Sequence, residues 1–299
     1  MKKRMHWIWV GLIMAGFMFS GMKAQAENMI QVKGSDSEVN LVQRLAEVFM
    51  EKHPDVNIAV TGGGSGAGIA ALINKTTDIA NSSREMQDKE IEAAKKAGVQ
   101  PFRVVFATDA ISIIVNPTNP ISKLTVEQLG KIYKGQISNW KDVGGKDIKI
   151  SLYGRQNNSG TYVFLRDFAL KGDYSPHMKS MNGNAQIAEA VKRDEAGIGY
   201  VAVGYVVNET GEVMPGVKIL NMAQDSNLEA FSPTVLENIM AKKYPITRPL
   251  QQYLRGKPSG TILEFVKFLT SEEGQKVVRQ NGFFPVQKEW VEFNRQQGI

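Results

Sequence analysis

The 299-residue sequence contains no cysteine and only three histidines. The lack of cysteine excludes disulfides, thiol catalysis and cysteine-ligated metals. His6, His53 and His177 show no spacing typical of a metal site, so we expect neither a metal nor a cofactor. Internal repeats and low-complexity tracts are also missing. What remains is ordinary globular composition, 42% hydrophobic and 22% charged, and the length indicates two domains.

Long apolar runs are lacking except near the N-terminus. Met1-Lys2-Lys3-Arg4 is basic, residues 7–19 are almost purely apolar, and Ala24-Gln25-Ala26 fits the small-x-small cleavage rule. The apolar run is shorter than the roughly 20 residues that a spanning helix needs, although a membrane anchor is the alternative. The pattern predicts a cleaved signal peptide over residues 1–26. Because no cysteine is available for lipid attachment, we expect a soluble, periplasmic protein without a lipid anchor.

A strong excess of positive charge is lacking once this leader is set aside. The leader carries four basic residues and no acid, which leaves 32 basic and 30 acidic residues, a net charge of +2. A nucleic-acid-binding surface normally shows a clear basic excess. We therefore expect no nucleic-acid partner.

Beyond the leader, short β-rich runs alternate with amphipathic runs, which is typical of α/β folds with largely parallel sheets. The predicted strands cover residues 29–33, 56–61, 77–80, 102–106, 111–116, 148–153 and 197–201. The predicted helices cover residues 38–52, 69–74, 88–97, 126–133, 161–168, 184–192 and 261–269.

Two segments predict a division into two lobes. Residues 107–109 join two strand-like runs without a helix, and residues 244–249 form an extended segment that contains two prolines. If the chain crosses at both segments, lobe I holds residues 27–107 and 245–299, and lobe II holds residues 108–244. Two crossings make a hinge, with a ligand site between the lobes.

Four strand-to-helix turns are rich in glycine and polar side chains. They cover residues 34–38, 62–68, 81–85 and 154–161. A helix N-terminus presents unpaired N–H groups and partial positive charge, and glycine lets the backbone approach an anion closely. Parallel strands bring such turns to one edge of a sheet. The pattern predicts an oxyanion cage with Arg155 among its donors.

Three of these turns also have another interpretation. Ser35-x-x-Glu38 and Ser82-x-x-Glu85 match the capping box, in which a serine closes a helix. Gly62-x-Gly64-x-x-Ala67 matches a relaxed dinucleotide fingerprint, but Asp78 lies at the wrong end of its strand to bind a ribose. A Gly-x-Ser-x-Gly elbow, which a serine hydrolase of the α/β class needs, is missing. These comparisons favour a binding protein over an enzyme.

At these loops the sequence resembles the phosphate-binding proteins of bacterial phosphate ABC transporters, the PstS-like family. The resemblance runs from about Ile30 to Pro285. Its most specific pieces are Arg155-x-x-x-Ser159-Gly160-Thr161, Leu124-Thr125-x-Glu127-Gln128-Leu129 followed by Tyr133-x-Gly135-x-Ile137-x-Asn139-Trp140, residues 62–68 with residues 77–84, and Gly197-Ile198-Gly199-Tyr200-Val201.

The resemblance implies a two-lobed α/β periplasmic binding protein of class II topology. Mixed parallel sheets with flanking helices would be joined by two hinge crossings. The resemblance also implies capture of inorganic phosphate and its delivery to the membrane permease of an ABC transporter, without catalysis. We expect a monomer.

The resemblance further implies a set of phosphate-binding residues. Where the family often has an aspartate that accepts the proton of phosphate, this chain has Ser83, and Asn157 replaces an acid near the arginine. Asp36 stands where many members have an apolar residue. It is our candidate acceptor, and stabilisation of the next helix is its alternative role. The other positions that match family donors are Ser35, Ser65, Arg155, Ser159, Gly160 and Thr161.

Two alternatives stay open. Sulfate, molybdate and tungstate need only donors, whereas phosphate near neutral pH keeps a proton and needs an acceptor. A chain that reused the fold as an adhesion or matrix protein would bind no anion.

Overall fold

The structure is a computed structural model that describes residues 29–208 and 210–299. The predicted signal peptide, residues 1–26, lies outside the described residues. Within the described ranges, no helix has both the length and the apolar character that a membrane crossing requires.

The described chain alternates strands and helices, as the sequence pattern predicts. The strands are β1 (Met29–Gly34), β2 (Asn57–Thr61), β3 (Ile79–Ser82), β4 (Phe102–Val115), β5 (Lys123–Thr125), β6 (Ser151–Arg155), β7 (Lys179–Met181), β8 (Gly197–Ala202), β9 (Lys218–Ile219), β10 (Asn221–Ala223) and β11 (Thr247–Leu254). The helices are α1 (Val39–Lys52), α2 (Ser65–Ile73), α3 (Asp88–Lys96), α4 (Val126–Tyr133), α5 (Gly160–Leu165), α6 (Asn184–Lys192), α7 (Leu236–Met240), α8 (Gly260–Thr270), α9 (Glu272–Gln280) and α10 (Lys288–Gln296).

The main sheet joins two parallel groups through an antiparallel centre. Its order is β2-β1-β3-β11-β4-β8-β6-β7, and β9 pairs with β4. β1 runs parallel to β2 and β3, and β6 runs parallel to β7 and β8. β11 and β4 are antiparallel to each other and to their outer neighbours. This arrangement confirms the predicted α/β class with mixed sheets.

The prediction of separate strands over 102–106 and 111–116 is wrong, because β4 is one strand through Thr108 and Asp109. β4 pairs with β11 up to Ala110 and with β8 from Ile111 onward, so the neighbour changes within a continuous strand. In the sequence, the polar residues Thr108 and Asp109 suggest the end of a strand. In the structure both are buried and hydrogen-bonded. We propose this change of neighbour as the first lobe crossing.

The second predicted crossing, residues 244–249, overlaps the start of β11, which the sequence analysis missed. Pro249 lies opposite Thr108 of β4, and β3 pairs with β11 from Gln251 onward. The proline therefore occupies the part of β11 that precedes its pairing with β3, where the lost N–H is tolerated. We keep the division after residues 107 and 244 as our proposed lobe boundary.

Helix α1 begins where the first polar turn ends. Its apolar residues recur at helical spacing and face the core, with Leu41, Leu45 and Phe49 buried. The Phe49 ring meets the Phe265 ring edge-on at 5.3 Å. This contact packs the C-terminal part of α1 against α8.

The two predicted capping boxes are wrong. Glu38, rather than Ser35, is the N-cap of α1, and its side chain makes no capping hydrogen bond with the described residues. Ser82 belongs to β3, and α3 is capped by Gln87 with Glu90. Ser35 and Ser82 lie three and five residues before the actual N-caps, so their hydroxyls serve other contacts.

Candidate functional site

The first three polar turns meet at the carboxyl ends of β1, β2 and β3. Ser35 Oγ donates a hydrogen bond to Ser83 Oγ at 2.9 Å. The Ser83 N–H donates to Ser65 Oγ at 3.1 Å. All three serines are buried. The edge of the parallel group therefore carries a cluster of hydroxyls, as the sequence predicts.

The fourth turn approaches this cluster from the proposed lobe II. A Cβ atom placed on Gly160 would lie 2.4 Å from Ser65 Oγ and 2.6 Å from Ser83 Oγ, so a side chain does not fit there. The Gly66 N–H also donates to the Asn158 carbonyl at 2.9 Å. Glycine at position 160 lets the backbone of the fourth turn come close to the hydroxyls of Ser65 and Ser83.

Arg155 is a buried cation of this region, and its side chain is only 2% exposed. Its Nη2 forms an ion pair with Asp36 and donates to the Asn182 carbonyl at 3.0 Å. The Nε and Nη1 atoms are buried and have no hydrogen-bond partner among the described residues. Buried charged donors without acceptors are unfavourable. An anion beside Arg155 would satisfy them.

Asp36 links the two proposed lobes. One carboxylate oxygen accepts from the Gly63 N–H at 2.8 Å, and the other pairs with Arg155. The Asp36 carbonyl accepts from Tyr205 Oη at 2.6 Å and from Asn184 Nδ2 at 3.2 Å. Asp36 thus provides the arginine with an acid that Asn157 cannot provide.

Ser159 and Thr161 have defined positions in the fourth turn. Ser159 is the N-cap of α5, and its Oγ accepts from the Thr161 N–H at 3.2 Å. Thr161 Oγ1 lies 2.9 Å from Ser37 Oγ and accepts from Arg248 Nη2 at 2.9 Å. The eight predicted site residues therefore lie in one region, where the four turns meet.

Arg248 and Asp109 form a second ion pair that the sequence analysis missed. Nε and Nη2 of Arg248 donate to Asp109 Oδ2 at 3.0 and 2.8 Å, and both residues are fully buried. Nη1 donates to the Ser83 carbonyl at 3.1 Å, and Nη2 also donates to Ser37 Oγ at 3.0 Å. Burial raises the pKa of Asp109, and the pair with Arg248 opposes this shift. The sequence contains one signal for this pair, because Asp109 lies in the first predicted crossing and Arg248 in the second.

Glu38 is a third acid that the sequence analysis did not assign to the site. Its side chain is fully buried, and neither carboxyl oxygen has a hydrogen-bond partner in the described part of the chain. Burial raises the pKa of Glu38 well above its usual range, while Arg248 opposes the shift and Asp109 adds to it. Within residues 29–208 and 210–299, no group of three or more acidic or histidine side chains could hold a metal ion.

Comparison with known proteins identifies the family. A profile of the PBP superfamily domain matches residues 22–273. Over 271 residues the chain is 32% identical to the phosphate-binding protein PstS of Pseudomonas aeruginosa, which covers 85% of this chain and 81% of that protein. The chain belongs to the PstS family. A second PstS relative, from Borreliella burgdorferi, is 28% identical over 288 residues and covers 93% of this chain and 98% of its own length.

Solved structures confirm the two-lobed fold of this PstS-family chain. A putative phosphate ABC transporter substrate-binding protein from Clostridium perfringens, solved with bound phosphate, superposes with a TM-score of 0.76 at 29% identity. That comparison covers 87% of this chain and 100% of the other. An ABC-type phosphate transport receptor from Vibrio cholerae gives a TM-score of 0.68 at 30% identity, with 86% and 100% coverage.

Proposed function

We propose that this PstS-family protein captures inorganic phosphate between its lobes and delivers it to the permease of a phosphate ABC transporter. The supporting observation is the buried guanidinium of Arg155, whose Nε and Nη1 find no acceptor among the described residues. The hydroxyls of Ser65 and Ser83 lie in the same region, against Gly160 of the fourth turn. A tetrahedral oxyanion offers the acceptor oxygens that these donors need.

The relatives support phosphate over other oxyanions. Proteins named phosphate-binding protein align with most of this chain, and the Clostridium perfringens structure contains phosphate. In our proposal Ser35, Ser65, Ser83 and Arg155 hold the anion from several sides. The second-lobe donors are Ser159, Gly160 and Thr161.

Asp36 is our proposed acceptor for the proton of phosphate. A carboxylate has about four lone-pair positions, and the Gly63 N–H and Arg155 occupy one on each oxygen. The remaining positions can accept a proton-bearing oxygen of phosphate. The same negative charge repels sulfate, which has no proton to share at neutral pH. In this way the acid that anchors Arg155 also provides selectivity.

The protein acts in this proposal by binding and release, without catalysis or a cofactor. We also propose that residues 1–26 direct export to the periplasm and are then removed, leaving a monomer without a lipid anchor. The lack of cysteine supports the last point, because lipid attachment at a cleavage site requires a thiol.

Isothermal titration of the purified mature protein with phosphate, sulfate and molybdate tests the proposed function. We expect phosphate to saturate one site per chain and to bind more tightly than the other two anions. Tighter binding of sulfate or molybdate would identify a different oxyanion transporter. No binding of any of the three anions would reject the function and favour an adhesion role.

A further inference from the structure

A cavity adjoins the proposed phosphate site. Its volume is about 530 Å³, which lies within the range of roughly 300–1,000 Å³ that is usual for small-molecule sites. Ser83 belongs both to the hydroxyl cluster and to the lining of this cavity. The other proposed phosphate-binding residues do not line it. The cavity is therefore a separate space that the proposed function leaves unexplained.

Gln251 of β11 contributes an unpaired amide to the lining of this cavity. The residue is fully buried, and neither Nε2 nor Oε1 has a hydrogen-bond partner among the described residues. The adjacent Gln252, by contrast, donates from Nε2 to Asn81 Oδ1 at 3.0 Å. A buried amide without partners is unfavourable. A bound molecule that offers one acceptor and one donor would satisfy Gln251.

Much of the remaining lining is apolar and aromatic. The rings of Phe164 and Phe168 stack with centroids 5.5 Å apart and planes inclined by 15°. Trp290 of α10 and Met86 also line the cavity. Flat apolar side chains of this kind favour an aromatic ligand, because rings stack on one another and bury a large apolar area.

The charged side chains of the cavity do not call for a charged ligand. Each of them already pairs with an opposite charge: Arg84 with Glu90, Glu85 with Arg103, Asp167 with Arg166, and Arg248 with Asp109. One further donor, Nε of Arg84, is buried without an acceptor among the described residues. The lining therefore favours a neutral ligand with a carbonyl oxygen.

We propose that this cavity is a second ligand site, which binds a neutral aromatic molecule that carries a planar amide or lactam group. The carbonyl oxygen of the ligand accepts from Gln251 Nε2, and its N–H donates to Gln251 Oε1, so that two planar amides meet edge to edge. The aromatic ring packs among Phe164, Phe168 and Trp290. This site is independent of the proposed binding of phosphate.

Benzamide is the probe for the first test. The purified mature protein is titrated in saturating phosphate, and the indole N–H signals of its tryptophans are followed by NMR. Trp7 and Trp9 lie in the predicted leader, which leaves Trp140 and Trp290. Trp140 is fully buried outside the cavity and is an internal control. We expect benzamide to shift the Trp290 signal to saturation and to leave the Trp140 signal unchanged.

The amide of Gln251 is tested by substitution. Gln251→Met keeps the length of the side chain but removes the amide, and we expect the benzamide Kd to rise about tenfold. The fold should tolerate this change, because the lost amide has no partner among the described residues. Gln280→Met, at an exposed position of α9, is the matched control and should leave the Kd unchanged. Equal Kd values for the wild type and Gln251→Met would overturn the proposal.

A comparison of ligands on the wild type provides a test that needs no variant. Acetophenone has the ring and the carbonyl of benzamide but no N–H, so we expect it to bind about fivefold more weakly. Equal affinities for the two ligands, or a Trp290 signal that benzamide does not shift, would contradict the proposed site. Binding of benzamide only when phosphate is absent would place it in the anion site and also reject the proposal. A protein that binds benzamide but no phosphate would reject the proposed function alone.

Discussion

Arg155 and Arg248 are both buried where the two proposed lobes meet, yet their surroundings differ. Every guanidinium nitrogen of Arg248 donates to an acceptor, including the Asp109 carboxylate and the Ser83 carbonyl. Arg155 has an acid partner on Nη2 only, and its Nε and Nη1 have no acceptor among the described residues. Burial therefore does not separate a structural arginine from a ligand-binding one. The buried donors that the protein leaves unsatisfied make that distinction.

The largest expected effect is a loss of stability on removal of Arg248, whose guanidinium nitrogens all donate hydrogen bonds. Arg248→Ala leaves Asp109 buried without its partner, and we expect the free energy of unfolding to fall by about 3–5 kcal/mol. Urea denaturation followed by circular dichroism measures this change. Arg193→Ala is the control, because the side chain of Arg193 is 81% exposed. A loss below about 1 kcal/mol for Arg248→Ala, within the range of surface pairs, would contradict the structural role.

Removal of Arg155, whose Nε and Nη1 have no acceptor among the described residues, should instead weaken phosphate binding. Arg155→Ala removes a charged donor from the anion, and we expect phosphate affinity to fall by about 2–3 kcal/mol. The loss of stability without ligand should be smaller than for Arg248→Ala, because the Asp36 side chain is 17% exposed and can be hydrated. Calorimetry with Lys131→Ala as control tests this, since Lys131 is half-exposed and pairs with Glu127. Equal losses of phosphate affinity for Arg155→Ala and Lys131→Ala would show that the site is misplaced.

A smaller effect is expected at the acid that pairs with Arg155. Asp36→Asn keeps an acceptor for the Gly63 N–H but loses the charge, and we expect phosphate to bind about 1–2 kcal/mol more weakly. The preference for phosphate over sulfate should also shrink, because the amide can turn a donor inward. Titration with both anions measures the two quantities, with the exposed Asp55→Asn as control. Equal weakening for both anions would restrict Asp36 to anchoring Arg155.

The smallest expected effect is a change of shape. Donors to the anion lie on both proposed lobes, so phosphate should shift the protein toward a closed form and lower its radius of gyration slightly. The Arg248–Asp109 pair, which joins β11 to β4, should persist in both forms. Small-angle X-ray scattering with and without phosphate detects the change. An unchanged radius of gyration at saturation argues against hinge closure.

The parts of the fold that were predictable depend on local pattern. The bounds of α4 and α6 agree with prediction, because their apolar spacing and end signals lie within one helix. The four polar turns were also visible, since glycine and hydroxyl residues follow strand-like runs. Parallel pairing then brings these turns to one edge without further information.

The missed parts depend on partners far away in sequence. Arg248 looked like part of a linker with two prolines, and its role follows from Asp109, which is 139 residues away. For the same reason Thr108 and Asp109 suggested a break in β4. Glu38 looked like half of a capping box, because that motif is read from four consecutive residues. Its burial beside Arg248 is a tertiary property that local spacing does not contain.

A crystal structure of the mature protein grown with phosphate tests the central claim most directly. We expect phosphate between the lobes, with oxygens within hydrogen-bond distance of Nε and Nη1 of Arg155 and of the Ser65 and Ser83 hydroxyls. Arg248 should keep its pair with Asp109 and make no contact with the ion. Phosphate bound elsewhere, or a cleft without phosphate at saturating concentration, would contradict the assignment of Arg155 as the ligand-binding arginine.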